Sequence, residues 1–178
     1  MYLNKGGDYM NGKTIENGIT TPERRVVDML IGRGMRIAFA ESCTGGLAAA
    51  GLVSVPDASR VLDVSFVTYS NDMKVKYLGV REDSISAFGV VSEQVAGEMA
   101  RGVCLASGAD VGVGVSGIAG PGGATPKKPV GTVCFGFCIG GEVTTLTARF
   151  GDIGRNNVRK KSVELIYERL IALLSQEK

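Results

Sequence analysis

The sequence predicts an α/β protein in which a mixed, mostly parallel central sheet lies between two layers of helices, a three-layer α/β/α architecture. Short apolar segments alternate along the chain with segments in which apolar residues recur at helical spacing, a pattern that favours parallel strands covered by helices on both faces. Two further alternating segments flank Gly140-Gly141, which is typical of a β-hairpin and requires at least one antiparallel strand. The 178 residues and the 44% hydrophobic content are sufficient for one domain with a buried core.

The first part of the chain predicts a helix, a strand, a turn and a second helix in close succession. Thr21-Pro22-Glu23 combines an N-cap, a first-turn proline and an early acid, so an amphipathic helix begins there and ends near residues 32–34. Residues 36–40 form a short apolar run that is typical of a strand. The glycine-containing residues 41–46 follow as a tight turn, and the Ala- and Leu-rich residues 47–53 follow as a helix.

The remaining elements complete the alternation of strands and helices. They are a strand at 64–69, a short helix at 73–78, a longer helix from Ser92, strands at 111–116, 130–138 and 143–150, and an amphipathic helix at 157–174. Residues 117–123 are too rich in glycine and proline to form anything but a loop. We expect residues 1–20 to form a flexible N-terminal tail and residues 21–178 to form a single domain.

The composition excludes several classes of function. With 20 basic and 18 acidic residues the net charge is +2, which gives no broad field to attract nucleic acid or an anionic membrane. The chain has no histidine, so a Ser-His-Asp triad and histidine metal ligands are excluded. Its four cysteines are too few and too dispersed for a disulfide framework or a zinc site, and no long apolar stretch occurs. We expect a cytoplasmic protein with no metal, no nucleic-acid partner and no membrane association.

Polar or glycine-rich segments follow three of the predicted strands, which is where ligands bind in open α/β sheets. In the first segment, Ser42 and Thr44 lie near the start of a helix, and Gly45 and Gly46 let backbone N–H groups approach a ligand. Such a turn suits a phosphate or a developing oxyanion. The alternative is an N-cap serine followed by small residues that pack closely.

The second segment contains Tyr69, Ser70, Asn71 and Lys74. In a chain without histidine, a serine nucleophile needs a carboxylate or a lysine of lowered pKa to take its proton. Burial lowers the pKa of a lysine, so Lys74 could take this role if its side chain points inward. The alternative is a solvated lysine on a short helix.

The third segment contains a literal G-x-G-x-x-G at Gly112, Gly114 and Gly117. A dinucleotide site requires a helix to begin at this motif, whereas here the glycines continue into a loop. We therefore expect no dinucleotide cofactor. The loop could enclose a small ligand, with Lys127 or Lys128 near an anion, or it could be a surface turn with solvated lysines.

Four motifs together resemble the C-terminal domain family of CinA, the competence/damage-inducible protein. They are AESCTGG at 40–46, VTYSNDMKVKYLGV at 67–80, GVVSEQVAGEMARG at 89–102, and SGIAGPGG…KPVGTV at 116–133. The resemblance covers nearly all of the chain from Pro22 onward. Members of this family include stand-alone nicotinamide-nucleotide amidohydrolases.

The resemblance implies hydrolysis of the carboxamide of nicotinamide mononucleotide to nicotinate mononucleotide and ammonia, in pyridine nucleotide recycling and without a cofactor. It implies a serine–lysine mechanism with Ser42 as the nucleophile and Lys74 as its lysine. The alternative is a catalytically idle nucleotide-binding or regulatory module of the same family. In either case the partner is a small nucleotide, and the resemblance makes a homodimer a candidate assembly.

These assignments predict a geometry. Ser42 and Lys74 should lie within hydrogen-bond reach of each other. The N–H groups of residues 44–46 should serve the oxyanion, and the loop at 116–123 should hold the phosphate with Lys127, Lys128 or Arg155. The residues expected to bind substrate are Thr44, Gly45, Gly46, Tyr69, Asn71, Ser116, Gly117, Gly120, Lys127, Lys128 and Arg155.

Overall fold

The computed structural model of the chain describes residues 15–16 and 19–176, and most of the expected N-terminal tail lies outside these residues. The strands are β1 (Ile15–Glu16), β2 (Ile19–Thr20), β3 (Ile37–Glu41), β4 (Phe66–Val67), β5 (Val111–Gly117), β6 (Thr132–Ile139) and β7 (Glu142–Arg149). The α-helices are α1 (Pro22–Arg33), α2 (Leu47–Val53), α3 (Asn71–Leu78), α4 (Glu82–Phe88), α5 (Glu93–Ser107) and α6 (Arg155–Gln176).

The central sheet has five strands in the order β4-β3-β5-β6-β7. Strand β3 is parallel to both β4 and β5, whereas β6 is antiparallel to both β5 and β7. Four strands therefore run in one direction and β6 alone opposes them, which confirms the mixed, mostly parallel sheet. The short strands β1 and β2 pair with each other, separately from this sheet.

Helices cover both faces of the sheet, and the alternation of side chains along β3 decides which residues meet which layer. Ile37 and Phe39 join the large core cluster formed with α1, α2 and α6. Ala38 and Ala40 face the other way and join Leu78 of α3 and residues of α5. This arrangement confirms the three-layer architecture. None of the helices within residues 15–16 and 19–176 has the length and hydropathy needed to cross a membrane.

Helix α5 lies unusually close to the sheet because three glycines face it. A Cβ added to Gly112 would overlap the carbonyl oxygen of Ala100, and one added to Gly114 or Gly136 would overlap that of Ala96. The glycine pattern in β5 therefore has a packing role, since it lets the backbone of α5 approach the backbone of the sheet.

The structure contains elements that the sequence did not predict, namely β1, β2, the short 3₁₀-helix Ala58–Arg60 and α4, and one strand is shorter than predicted. Strand β4 is only two residues long, and beside it the Phe39 N–H donates to the Ser65 hydroxyl at 3.2 Å instead of to a backbone carbonyl. Helix α3 begins at Asn71, where the Ser70 hydroxyl accepts a hydrogen bond from the N–H of Met73 at 3.3 Å. Helix α4 was not predicted, because its seven residues are largely polar. It is stabilised from α5 by Glu98, whose carboxylate accepts hydrogen bonds from the Arg81 N–H at 2.9 Å and the Ser84 hydroxyl at 2.6 Å.

Candidate active site

The three segments singled out in the sequence converge on one pocket of about 200 Å³. They do so because β3, β4 and β5 are parallel neighbours, so their carboxyl ends share one edge of the sheet. The lining residues are Ser42, Cys43, Tyr69, Asn71, Lys74, Val90, Val91, Ser116, Gly117, Ala119 and Arg155. Six of the binding residues expected from the sequence do not line the pocket: Thr44, Gly45, Gly46, Gly120, Lys127 and Lys128.

Lys74 and Ser42 form the centre of the pocket. The Nζ atom of Lys74 lies 3.2 Å from the Oγ atom of Ser42, which confirms the predicted approach of the two side chains. The same Nζ donates hydrogen bonds to the backbone carbonyls of Thr68 at 2.8 Å and Tyr69 at 3.2 Å. Although Lys74 lies on an eight-residue helix, its exposed fraction is only 1%, so the solvated alternative is wrong.

Burial lowers the pKa of Lys74, because the charged ammonium loses its hydration. A neutral amine has two N–H bonds and one lone pair. The two carbonyls that Lys74 contacts can accept both N–H bonds, which directs the lone pair towards the Ser42 hydroxyl. The arrangement is chemically able to take a proton from a serine without a histidine.

The turn that carries Ser42 is held by the carboxylate of Glu41. This buried carboxylate accepts hydrogen bonds from the N–H groups of Gly46 at 2.9 Å, Ala48 at 3.2 Å and Ala49 at 2.9 Å. The N–H of Gly45 donates to the carbonyl of Ser42 at 3.2 Å. The expectation that Gly45 and Gly46 offer free N–H groups to a ligand is therefore wrong.

Val90 and Val91 also line the pocket, although neither was expected from the sequence to belong to the site. The hydroxyl of Ser116 donates to the carbonyl of Val90 at 2.9 Å and so fixes Val90 and Val91 at the pocket. The sequence signal for this segment was an apolar pair immediately before the helix-capping Ser92. It gives the pocket an apolar surface.

Three basic residues were expected to contact an anion, Lys127, Lys128 and Arg155. Of these, Arg155 lines the pocket. Its Nη1 atom donates to the Gly120 carbonyl at 2.9 Å, and its Nη2 atom donates to the Tyr69 hydroxyl at 3.1 Å. Lys128 instead donates from Nζ to the Phe88 carbonyl at 2.6 Å, and Lys127 is exposed. Gly120 thus contacts the site through its carbonyl, whereas the two lysines lie outside the pocket.

Cys43, which follows Ser42 in the turn, and Arg159, which contacts the turn from α6, complete the surroundings of Ser42. Burial raises the pKa of the Cys43 thiol to about 12, so this thiol stays protonated beside Ser42 at neutral pH. Arg159 of α6 donates from Nε to the Cys43 carbonyl at 3.2 Å and from Nη2 to the Thr44 carbonyl at 2.9 Å. Sequence reasoning missed Arg159, because no local pattern indicates which arginine of a long helix reaches a turn 115 residues earlier.

The fold and the site define an α/β protein with a buried lysine–serine pair at the carboxyl edge of its parallel strands. Residues 19–174 match the sequence model of the CinA C-terminal domain, and the chain belongs to this family. A CinA-like protein of Chlorobaculum tepidum is 50% identical over 145 residues, which cover 78% of this chain and 34% of that protein. A putative competence-damage inducible protein of Symbiobacterium thermophilum is 59% identical over 107 residues, which cover 60% of this chain and 25% of that protein. The chain therefore spans about a third or less of these relatives.

Solved structures of this family have the same fold, and this chain covers nearly their whole length. The competence/damage inducible protein CihA of Agrobacterium tumefaciens superposes with a TM-score of 0.84 at 43% identity, covering 87% of this chain and 94% of that one. A CinA superfamily protein of Escherichia coli superposes with a TM-score of 0.81 at 31% identity, covering 94% of this chain and 99% of that one.

Proposed function

We propose that this chain hydrolyses the carboxamide of nicotinamide mononucleotide, giving nicotinate mononucleotide and ammonia, and that it acts in the recycling of pyridine nucleotides. The observation that carries the proposal is the buried Lys74, whose Nζ lies 3.2 Å from the Ser42 Oγ and otherwise contacts two backbone carbonyls. A purely nucleotide-binding module has no use for a lysine of lowered pKa facing a serine. Membership of the CinA C-terminal domain family supports the choice of substrate.

The proposed reaction has two halves that use the same pair of side chains. In the first, the Ser42 Oγ attacks the carboxamide carbon while its proton passes to the neutral Lys74 Nζ. The resulting Lys74 ammonium returns that proton to the amide nitrogen, which leaves as ammonia, and an ester remains on Ser42. In the second half a water molecule attacks the ester carbon and gives its proton to Lys74. The Ser42 oxygen leaves the carbon and regains a proton from Lys74, and the product departs as a carboxylic acid that gives its remaining proton to the solvent or to the released ammonia.

The proposed orientation of the substrate follows from the polarity of the pocket walls. The carboxamide must lie at Ser42, and the apolar Val90 and Val91 suit the face of the pyridine ring. We infer that Arg155 holds the phosphate, because a guanidinium has five N–H donors and this one uses two of them, on Gly120 and Tyr69, among the residues that the structure describes. Tyr69 is 63% exposed, so the phosphate would lie towards the pocket mouth.

The direct test is release of ammonia from nicotinamide mononucleotide by the purified protein. We expect turnover by the wild-type chain and none above background by Ser42→Ala. The matched control is Ser54→Ala, because Ser54 is an exposed serine outside the pocket whose hydroxyl donates to the nearby Gly51 carbonyl at 2.6 Å. A wild-type protein that binds the nucleotide without releasing ammonia would instead be an idle binding module.

The role of Arg155 leads to a prediction about the phosphate. Arg155→Ala should lower kcat/KM for nicotinamide mononucleotide by roughly 10- to 100-fold, because a hydrogen-bonded charge contributes about 1.5–3 kcal/mol. The same variant should change the hydrolysis of nicotinamide riboside, which has no phosphate, by less than about threefold. Steady-state kinetics with both substrates measure the difference. Lys127→Ala is the control, because Lys127 is exposed and lies outside the pocket. Equal losses on both substrates would contradict a phosphate contact at Arg155.

The lowered pKa of Lys74 leads to a prediction about pH. The base must be neutral, and burial lowers its folded-state pKa, so kcat/KM should rise with pH with a midpoint below the ordinary lysine value of about 10.4. A pH–rate profile of the wild-type chain measures this midpoint. Activity that falls as the pH rises through this window would show that the charged lysine is the active form.

A further inference from the structure

We propose that Arg159 is a positioning residue that holds the backbone of the nucleophile turn in the shape that brings Ser42 to Lys74, and this proposal rests on the proposed function. Arg159 lies on α6, four residues after Arg155, and its side chain is half-buried. Its hydrogen bonds reach the peptide groups Cys43–Thr44 and Thr44–Gly45, not the side chain of Ser42.

The guanidinium of Arg159 binds two successive carbonyls of the turn. Nε donates to Cys43 at 3.2 Å and Nη2 donates to Thr44 at 2.9 Å. In a trans peptide the carbonyl and the next N–H point in opposite directions, so fixing these carbonyls also fixes the N–H groups of Thr44 and Gly45. The Gly45 N–H donates back to the Ser42 carbonyl at 3.2 Å, which closes the turn on the nucleophile residue.

The turn needs such an external contact because its own residues constrain it weakly. Gly45 and Gly46 have φ values of 61° and 92°, a region that glycine enters freely, and glycine has the largest conformational entropy to lose. Glu41 holds the N–H groups at the far end of the turn, from Gly46 onward. Arg159 holds the carbonyls in the middle. The two charged side chains together fix both kinds of backbone group.

One helix, α6, carries both Arg159 and Arg155, which is the proposed contact for the phosphate of the substrate. Residues four apart lie on the same face of a helix, so Arg155 and Arg159 project from neighbouring turns of α6. Arg155 reaches Tyr69 and Gly120 at the pocket, and Arg159 reaches the turn of Ser42. Helix α6 thereby keeps a fixed distance between the proposed phosphate contact and the nucleophile.

Arg159→Met tests the proposal, because methionine keeps much of the side-chain length and removes both hydrogen bonds to the turn, together with the bond from Nη1 to the Asn156 Oδ1 at 3.3 Å. We expect kcat for nicotinamide mononucleotide to fall by about 10²-fold while KM changes by less than about threefold, since displaced reacting groups lose rate more than binding. Arg159→Lys should remain impaired, because a lysine has no planar fork to bind two carbonyls. In Arg159→Ala, added guanidinium should restore part of the lost kcat.

The matched control is Arg33→Met. Arg33 donates to the Leu174 carbonyl of α6 at 2.7 Å, which ties α1 to α6, and to the Met29 carbonyl of its own helix at 3.3 Å, and none of these residues lines the pocket. Both methionine variants should lower the thermal midpoint by similar amounts, whereas only Arg159→Met should lose kcat. Loss of kcat in proportion to loss of folded protein, or a change confined to KM, would overturn the positioning role.

A second readout separates failure of this proposal from failure of the proposed function. A fluorophosphonate probe reacts with an activated serine whatever the natural substrate is, so its rate of labelling Ser42 reports the nucleophile alone. Rapid labelling of the wild-type chain and slow labelling of Arg159→Met would support the positioning role even if nicotinamide mononucleotide were not hydrolysed. Equal labelling of the two proteins, or no labelling of either, would overturn it.

Discussion

Removal of either member of the Ser42–Lys74 pair is expected to lower kcat for nicotinamide mononucleotide by about 10³-fold or more, the largest loss that any single side chain of the pocket should produce. In the proposed mechanism Ser42 supplies the atom that bonds to the substrate, and Lys74, whose Nζ lies 3.2 Å from the Ser42 Oγ, takes its proton. Without the lysine the hydroxyl keeps its proton and is a weak nucleophile. Steady-state rates of ammonia release for Ser42→Ala and Lys74→Ala measure both losses.

The double variant tells whether the two residues act as one unit. Because each is useless without the other, Ser42→Ala/Lys74→Ala should be hardly slower than the worse single variant. Lys76→Ala is the control for the lysine, since Lys76 lies on the same helix but is exposed and contacts the ring of Tyr77 at 5.1 Å. Losses that multiply would show two independent effects. Lys74→Met, which retains a long buried side chain, keeps the test valid if alanine at this position prevents folding.

The sequence predicted those parts of the fold whose signals are local. Thr21 caps α1 through its side chain, and the helix ends at Gly34 in the left-handed conformation, as the N-cap and glycine signals indicated. Helix α2 has the predicted bounds, Leu47–Val53. The prediction of a hairpin across Gly140-Gly141 is also confirmed. Both glycines have positive φ values, of 57° and 90°, as a tight turn between the two strands requires. In each case the residues that decide the structure are neighbours in sequence.

The parts that escaped prediction depend on contacts between distant residues. Helix α4 gains its N-terminal partners from Glu98, on another helix, so its own seven residues gave too little signal. The binding residues of the site likewise depend on contacts between residues that are distant in the sequence. The charges of Lys127 and Lys128 made them candidate anion contacts. In the fold, however, neither lysine lines the pocket, whereas Arg155 does. Ser42 and Lys74 could be paired before the fold was known because the resemblance to the CinA family implies that pair, and a lysine base is consistent with a chain without histidine.

The glycines beneath α5 lead to the second large effect, which is on stability. Gly114→Ala should destabilise the fold by about 3 kcal/mol or more, at or beyond the upper end of ordinary overpacking costs. The added methyl group would overlap the Ala96 carbonyl oxygen and lie 2.8 Å from the Cβ of Met99. These atoms belong to a helix backbone and to a fully buried side chain, so relief requires α5 to move off the sheet. Chemical denaturation of the purified variant measures the loss.

The matched control is Gly32→Ala, because Gly32 lies within α1, has no atom within 4 Å of an added Cβ and does not have a positive φ. This substitution should be neutral or stabilise the fold by up to about 1 kcal/mol, since alanine favours a helix more than glycine does. Gly136→Ala should repeat the loss at Gly114, because its added Cβ would overlap the same Ala96 oxygen from the adjacent strand. If both core variants were as stable as Gly32→Ala, α5 would not need close approach to the sheet, and the glycine pattern in β5 would require a different explanation.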